Sequence, residues 1–348
     1  MKPVHYATRF VAGLAAASAL LAPLAVSLAV SLAGGSARAA DATSIAVPAN
    51  AMLFAPLYVA ADLGLWSARG LDVKLPLIAG PGATNAVIAG SADFASTGGG
   101  SVLRAASQGQ NLLAVANTID KLMLEMVVSP AAMEKFKLQP NADFATRVKS
   151  LKGMTIGVDT VNGLPHGYLR YITRKVGMNP ETDVVITPMQ PPSMMAALKA
   201  GSVDGYIFGD PFTSMSIKDG ASLLIKMPQY DAPELNPFGY NLIVARPAFC
   251  KEKPTICTRV VAGLKEAVAK MKKEPAAAQD ALKKRFAQIP PDIFEASYKQ
   301  VTENSSDSLT VTAQAMRNTL NYAQSAGMLG PNDKIADLNA LFTQDYNK

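Results

Sequence analysis

"VKLPLIAGPGATNAVIAGSADFASTGG" (Val73–Gly99) lies without a gap over "VVITPMQPPSMMAALKAGSVDGYIFGD" (Val184–Asp210), at an offset of 111 residues. Ala89-Gly90-Ser91 meets Ala200-Gly201-Ser202, Asp93 meets Asp204, Pro81 meets Pro192, and Gly98 meets Gly209. Carried back, Ile45 and Val47 meet Ile156 and Val158. The identities are few, but most fall where secondary structure is punctuated. Convergent βα punctuation can produce the same pattern without common ancestry. Either origin gives one organisation: two lobes, each a βαβαβ unit of the same design.

Around this core the chain alternates strands and helices. Strands are expected at Ser44 to Val47, in "LDVKLPLIAG", in "ADFAST" and from Asn111 to Ala116. Between them come a helix ending near Gly64, a helix from Ala83 to Ala89 stopped by Gly90, and a helix from Ser101 to Ser107. Such alternation calls for a parallel sheet with helices on its faces. The first crossing between lobes is expected near Leu122 to Pro130, and the return near Tyr240 to Ala245. The expected division is residues 40–125 for the first part of lobe 1, 126–240 for lobe 2, and 241–348 for the return segment and C-terminal helices. Helical spacing of apolar residues over Thr258 to Lys273 and Thr310 to Ser325 predicts helices that pack around the first lobe.

Residues 1–39 read as a secretory signal peptide. Lys2 and Arg9 precede a long Ala/Leu/Val run from Val11 to Leu32, and Ala37-Arg38-Ala39 offers cleavage after Ala39. The alternative is an uncleaved anchor, because about 20 apolar residues can span a bilayer. Small residues and the cleavage site favour export to the periplasm. Removing Lys2, Arg9 and Arg38 lowers the formal charge from +6 to +3. That balance does not suit a nucleic-acid binder.

Only two cysteines occur, Cys250 and Cys257 in "FCKEKPTIC". In an oxidising compartment they are expected to pair. They lack the Cys-x-x-Cys spacing or histidine company of a redox or zinc site, so no metal is expected. His5 leaves with the signal peptide, which makes His166 the only histidine beyond it. Any Ser-His-Asp or Cys-His machine would have to centre there, yet no neighbouring nucleophile has an elbow-like context.

Ligands of open parallel sheets sit outside the carboxyl ends of the strands. The repeat therefore nominates six loops. Asn50 to Phe54, Gly80 to Thr84 and Thr97 to Gly100 come from the first lobe. Thr160 to His166, Gln190 to Met195 and Phe208 to Pro211 come from the second. Candidate contacts are Asn50, Phe54, Gly80, Thr84, Thr97, Gly98 and Gly99, with Thr160, Asn162, Gly163, His166, Gln190, Phe208 and Asp210 opposite. Glycines and helix starts expose N–H groups, and the helix dipole favours an anion. The triple glycine Gly98-Gly99-Gly100 is neither G-x-G-x-x-G nor a P-loop, so no nucleotide cofactor is read from it. A bland reading stands beside several candidates: a tight turn for the glycines, a structural histidine for His166, and an Asx-type turn before Pro211 for Asp210.

The stretch "PLYVAADLGLWSARGLDVKLPLIAGPGATNAVIAGSADFASTGG" resembles ABC-transporter substrate-binding proteins of the nitrate/sulfonate/taurine type. That group includes binders of thiamine-pyrimidine precursors. "SLKGMTIGVDTVNGLPHGYLRYITRKVGM", "AALKAGSVDGYIFGDPF" and "NLIVARPAFCKEKPTIC" resemble the later segments, in order, over most of Ala55 to Cys257. The resemblance implies an α/β, type II periplasmic-binding-protein fold, with two lobes and a ligand cleft between them. It implies delivery of a small-molecule solute to an inner-membrane permease and its ATPase; a monomer with no catalytic role and no cofactor is expected. Gly209 stands where many relatives carry an aromatic residue, which leaves room for a different ligand. The cysteine-rich motif of the eukaryotic pyrimidine-synthase relatives is absent. Few cleft-loop residues carry charge, so recognition is expected to rely on N–H groups, hydroxyls, Gln190 and stacking by Phe54 or Phe208, and the helix starts best suit a small organic anion, sulfonate or carboxylate. A pyrimidine-like heteroaromatic is the alternative, and an exported sensor module or an enzyme using His166 are the other classes.

Overall fold

The structure, a computed structural model, describes residues 40–330 and 332–347, so the expected signal peptide lies outside the described residues. The first sheet contains β1 (Asp41–Ala46), β2 (Leu71–Lys74), β3 (Phe94–Thr97), β4 (Leu113–Ile119) and β10 (Asn241–Ala245), in the order β2-β1-β3-β10-β4. The second contains β5 (Glu125–Val128), β6 (Thr155–Val158), β7 (Val185–Pro188), β8 (Gly205–Phe208) and β9 (Ser222–Ile225), in the order β7-β6-β8-β5-β9. Every residue of β3 and β10 is buried, as expected of central strands covered by helices on both faces.

The offset read in the sequence is also the offset of strand register. Ser44 pairs with Lys74 and Ile45 with Phe94 in the first sheet. Thr155 pairs with Val185 and Ile156 with Gly205 in the second. All four positions move by the same 111 residues. The turns repeat as well. Gly90 (φ 80°) and Gly201 (φ 71°) end equivalent helices in the left-handed region that glycine adopts without Cβ strain. Ser91 and Ser202 then donate their N–H groups to Ala86 and Ala197, each at 2.9 Å.

The sheets are mixed rather than wholly parallel. In each, one strand that borders a crossing runs antiparallel: β5 between β8 and β9, and β10 between β3 and β4. A strand that arrives from the other lobe enters from the opposite end, so it can pair only in that sense. The two crossings are tied to each other where Phe238 N–H donates to Asp120 C=O at 2.7 Å. The start of the return is anchored by a buried, bidentate ion pair, Arg147 to Asp231, with contacts of 2.6 and 2.7 Å. Arg147 also donates to Leu224 C=O, and Asp231 accepts from Lys226 N–H. The charges are thus hydrogen-bonded on several sides, as burial demands.

The C-terminal helices depart from expectation. Helix Pro254–Lys273 does cover the first lobe, where Trp66 Nε1 donates to Val260 C=O at 3.0 Å. Cys250 and Cys257 form the expected disulfide, with Cα atoms 5.7 Å apart, and tie helix Pro247–Glu252 to that long helix. Helices Pro291–Asn304 and Ala313–Ser325, however, touch both lobes. Lys218 of the second lobe pairs with Asp292, and Tyr322 Oη donates to Leu164 C=O at 2.7 Å. Among the described residues no helix is long and apolar enough to cross a membrane.

Candidate functional site

In the first lobe the structure brings three candidates together. Thr97 ends β3, and Thr84 lies in the first turn of helix Gly82–Ile88. Both are buried, and their hydroxyl oxygens stand 2.8 Å apart. One hydroxyl donates to the other, so the pair keeps a single O–H to offer elsewhere. Gly98 caps helix Gly99–Ser107 in extended conformation, and its N–H donates to no acceptor among the described residues. Gly99 behaves differently: its N–H is spent on Gly239 C=O at 2.8 Å. Phe54 closes a short turn, Met52–Phe54, and is buried in the hydrophobic core. Asn50 and Gly80 are exposed and share no hydrogen bond with another candidate.

In the second lobe the Thr160–His166 segment folds on itself. Asn162 adopts φ 61° and donates its N–H to His166 Nδ1 at 2.9 Å. Its Oδ1 accepts from Arg170 at 2.7 Å. Gly163 is the N-cap of helix Leu164–Lys175, and its N–H donates to Thr160 C=O at 3.0 Å. His166 is buried at 4% exposure; that burial, and then the Arg170 charge, lower its pKa, against a smaller opposing effect of Glu181. With Nδ1 accepting, the neutral ring carries its proton on Nε2, which has no partner among the described residues.

Gln190 is exposed at the N-cap of helix Pro191–Lys199, and its side chain makes no capping bond. Phe208 is half-buried, edge-to-face with Phe212 at 5.6 Å. Asp210, joined to Pro211 by a cis peptide, turns its carboxylate back onto the following helix. Its Oδ1 accepts from Thr213 Oγ1 (2.8 Å), Ser214 N–H (3.1 Å) and Ser214 Oγ (2.6 Å), and its Oδ2 from Ser297 Oγ (3.4 Å). None of these is the bond to the N–H two residues on that defines an Asx turn; the carboxylate instead braces the first turn of helix Phe212–Lys218 and meets helix Pro291–Asn304.

Four neighbouring residues were not among the candidates. Glu125 opens β5, directly opposite Phe208 across the antiparallel pair, and is buried. Desolvation first, then the Asp210 charge, push its carboxyl up to about 7, against the lowering effect of Thr213 Oγ1 donating at 3.1 Å. An acid inside the otherwise apolar "LMLEMVVSP" was the available signal. Asp159 is raised by burial, and its Oδ1 accepts from Thr160 N–H at 2.7 Å. Tyr240, buried between the crossings, donates to Met123 C=O at 3.3 Å. Asn241 links β3 to β4, accepting from Ser96 Oγ at 2.5 Å and donating to Thr118 Oγ1 at 2.8 Å. No group of acids, cysteines and histidines among the described residues could hold a metal ion.

A family model described as "NMT1/THI5 like" matches residues 52–278. The chain is 33% identical over 86 residues to a nitrate/nitrite binding protein, NrtA, of Nostoc sp., covering 24% of this chain and 20% of that protein. It is 28% identical over 169 residues to a putative aliphatic sulfonates-binding protein of Escherichia coli, covering 49% of this chain and 48% of that one. The matches thus span about half or less of these relatives' lengths. In structure it is similar to the periplasmic aliphatic sulphonate binding protein SsuA from Escherichia coli, with a TM-score of 0.69 at 20% identity, covering 87% of this chain and 92% of that one. That likeness shows the shared two-lobed α/β fold.

Proposed function

Because the chain belongs to the NMT1/THI5-like family, we propose that it is an exported solute-binding protein that delivers a small organic anion, of sulfonate or carboxylate type, to an ABC importer. The observation that carries the anion is the Thr84–Thr97 hydroxyl pair beside the free Gly98 N–H. These are neutral donors at the start of a helix, where the backbone dipole favours negative charge. The His166 Nε2–H would add a donor from the second lobe in the closed form. The lobes of this reading are residues 40–125 with 241–348, and residues 126–240. The protein would work as a monomer in the periplasm, after cleavage behind Ala39, and its partners would be an inner-membrane permease and its ATPase. It is a reading of binding rather than catalysis, since His166 Nδ1 is engaged by a backbone N–H and not by an orienting carboxylate.

One observation favours a second solute class. Phe208 pairs with Glu125 across β8 and β5, and the Glu125 carboxyl, pushed up to about 7, can act as a neutral donor. A pyrimidine-like ring could stack on the one and hydrogen-bond to the other.

A thermal-shift series with ethanesulfonate, acetate, nitrate and 4-aminopyrimidine tests both. Stabilisation by ethanesulfonate or acetate supports the anion. A shift with 4-aminopyrimidine alone transfers the reading to the heteroaromatic class, and no shift with any organic anion removes the first reading.

A further inference from the structure

Helix Ala313–Ser325 is built into the first lobe. Met316, Ala323 and the following Leu329 share a core with Val102 and Leu103 of helix Gly99–Ser107. Thr319 Oγ1 accepts from Gly239 N–H at 2.9 Å, and Asn318 Nδ2 donates to Pro237 C=O at 2.9 Å, which seats the helix on the return crossing. Its C-terminal end is nevertheless held by the other lobe. From helix Leu164–Lys175, Arg170 reaches Ala326 C=O at 3.5 Å and Arg174 reaches Ser325 C=O. These are carbonyls of the last turn, which a helix cannot satisfy internally, and two guanidinium groups suit the negative end of its dipole. Glu181 holds both arginines, at 2.8 Å from Arg170 and 3.9 Å from Arg174.

Close to this polar grip is a packed one. Tyr322 Oη donates to Leu164 C=O at 2.7 Å, and its ring meets Phe238 of the crossing edge-to-face at 5.3 Å. Gly167 makes that approach possible. A Cβ built there would lie 2.8 Å from both Met328 Sδ and Tyr322 Oη, closer than packed atoms allow. The missing side chain matters here for a contact between lobes and not for a turn, since Gly167 lies within a helix.

We infer that helices Leu164–Lys175 and Ala313–Ser325 form a latch across the two lobes, in which Arg170 and Arg174 cap the C-terminal end of the opposite helix and so set the balance between open and closed forms. The inference rests on the proposed closure of the lobes around a solute. No covalent link joins the two helices except through the crossings, so opening on that side must break these bonds. The latch favours the closed form whatever the solute is, and its charged part weakens with salt.

Small-angle scattering of the purified protein, with no added solute, tests this. Arg170→Ala/Arg174→Ala is expected to have a larger radius of gyration than the wild type, from a roughly tenfold shift toward the open form. Gly167→Ala, which leaves all the charges in place, is expected to expand it too, and it decides the matter alone if the double variant does not fold. Wild-type dimensions in both variants, or in a folded Gly167→Ala where only it can be measured, would overturn the latch. Wild-type protein with ethanesulfonate tests the solute reading separately. Expansion of the variants without compaction of the wild type by ethanesulfonate keeps the latch and counts against the anion reading.

Discussion

Asp93 and Asp204 stand in the same relation to their own sheets, 111 residues apart. Asp93 Oδ2 accepts from the N–H of Ser44, in β1, at 3.1 Å, and Asp204 Oδ2 accepts from the N–H of Thr155, in β6, at 2.8 Å. Each carboxylate thus ties the strand it precedes to the first strand of its βαβαβ unit. Thr43 Oγ1 adds a bond to Asp93 at 2.9 Å, and exposed Lys135 pairs with Asp204 at 3.3 Å. Asp93→Ala and Asp204→Ala should each lower the unfolding free energy by about 1–2 kcal/mol, mostly from the charge-assisted bond to backbone. Urea unfolding of the two variants checks it, and a loss confined to one lobe's aspartate would break the equivalence.

Thr97→Val preserves shape but leaves the Thr84 hydroxyl without its partner. Affinity for whichever organic anion stabilises the protein should fall about tenfold, by calorimetric titration. Unchanged affinity would take the hydroxyl pair out of the site.

His166 is the only histidine beyond residue 39, so one imidazole spin system reports on it. Nitrogen-detected NMR of the chain from residue 40 onward should show the Nε2–H tautomer, with a titration midpoint below the ordinary imidazole range. The folded state resists protonation, so this group's contribution to stability is retained above the unfolded pKa and declines as pH falls below it. An Nδ1–H tautomer would contradict the bond from Asn162.

Glu125 titrates in the opposite sense for stability. Its carboxyl is raised from 4.5 to about 7 in the fold. Between those values the folded chain keeps a proton that the unfolded chain has lost, so this group's contribution falls as pH rises through the window and is level above it. Glu125→Gln should be more stable than the wild type at pH 8 by about 3 kcal/mol, with the gap closing below the unfolded pKa. Unfolding curves at pH 4 and pH 8 read both limits.

The Cys250–Cys257 bridge closes a short loop between two helices of the first lobe. Cys250→Ser/Cys257→Ser should cost on the order of 2 kcal/mol. The variant should still bind solute, because the bridge joins helices Pro247–Glu252 and Pro254–Lys273, outside the six candidate loops. Loss of binding in a folded variant would tie the bridge to the site.

Local signals carried the reading far, because they act within a few residues of where they are written. Gly90 and Gly201 stop helices by their own backbone freedom, and Asp93 and Asp204 announce the strands that follow. An offset read from these marks became an offset of hydrogen-bond register. Candidate loops were legible by the same route, and Thr84 with Thr97 meet as neighbours from adjacent loops. The roles of single groups were less legible. Asp210 could have faced a ligand or its own helix, and Thr213, Ser214 and Ser297 engage both its oxygens. Gly99 offered an N–H in the sequence, and Gly239 from the return crossing takes it.

By itself the sequence determined two βαβαβ units, their punctuation, the paired cysteines and the loops at the strand ends, since each depends on short-range geometry and spacing. Only the tertiary structure decided the antiparallel places of β5 and β10, the raised carboxyl of Glu125, and the seat of helix Ala313–Ser325 across both lobes. Helical periodicity shows which face of a helix is apolar. It does not name the surface that covers that face or the charges that meet its end, and those depend on where the chain returns.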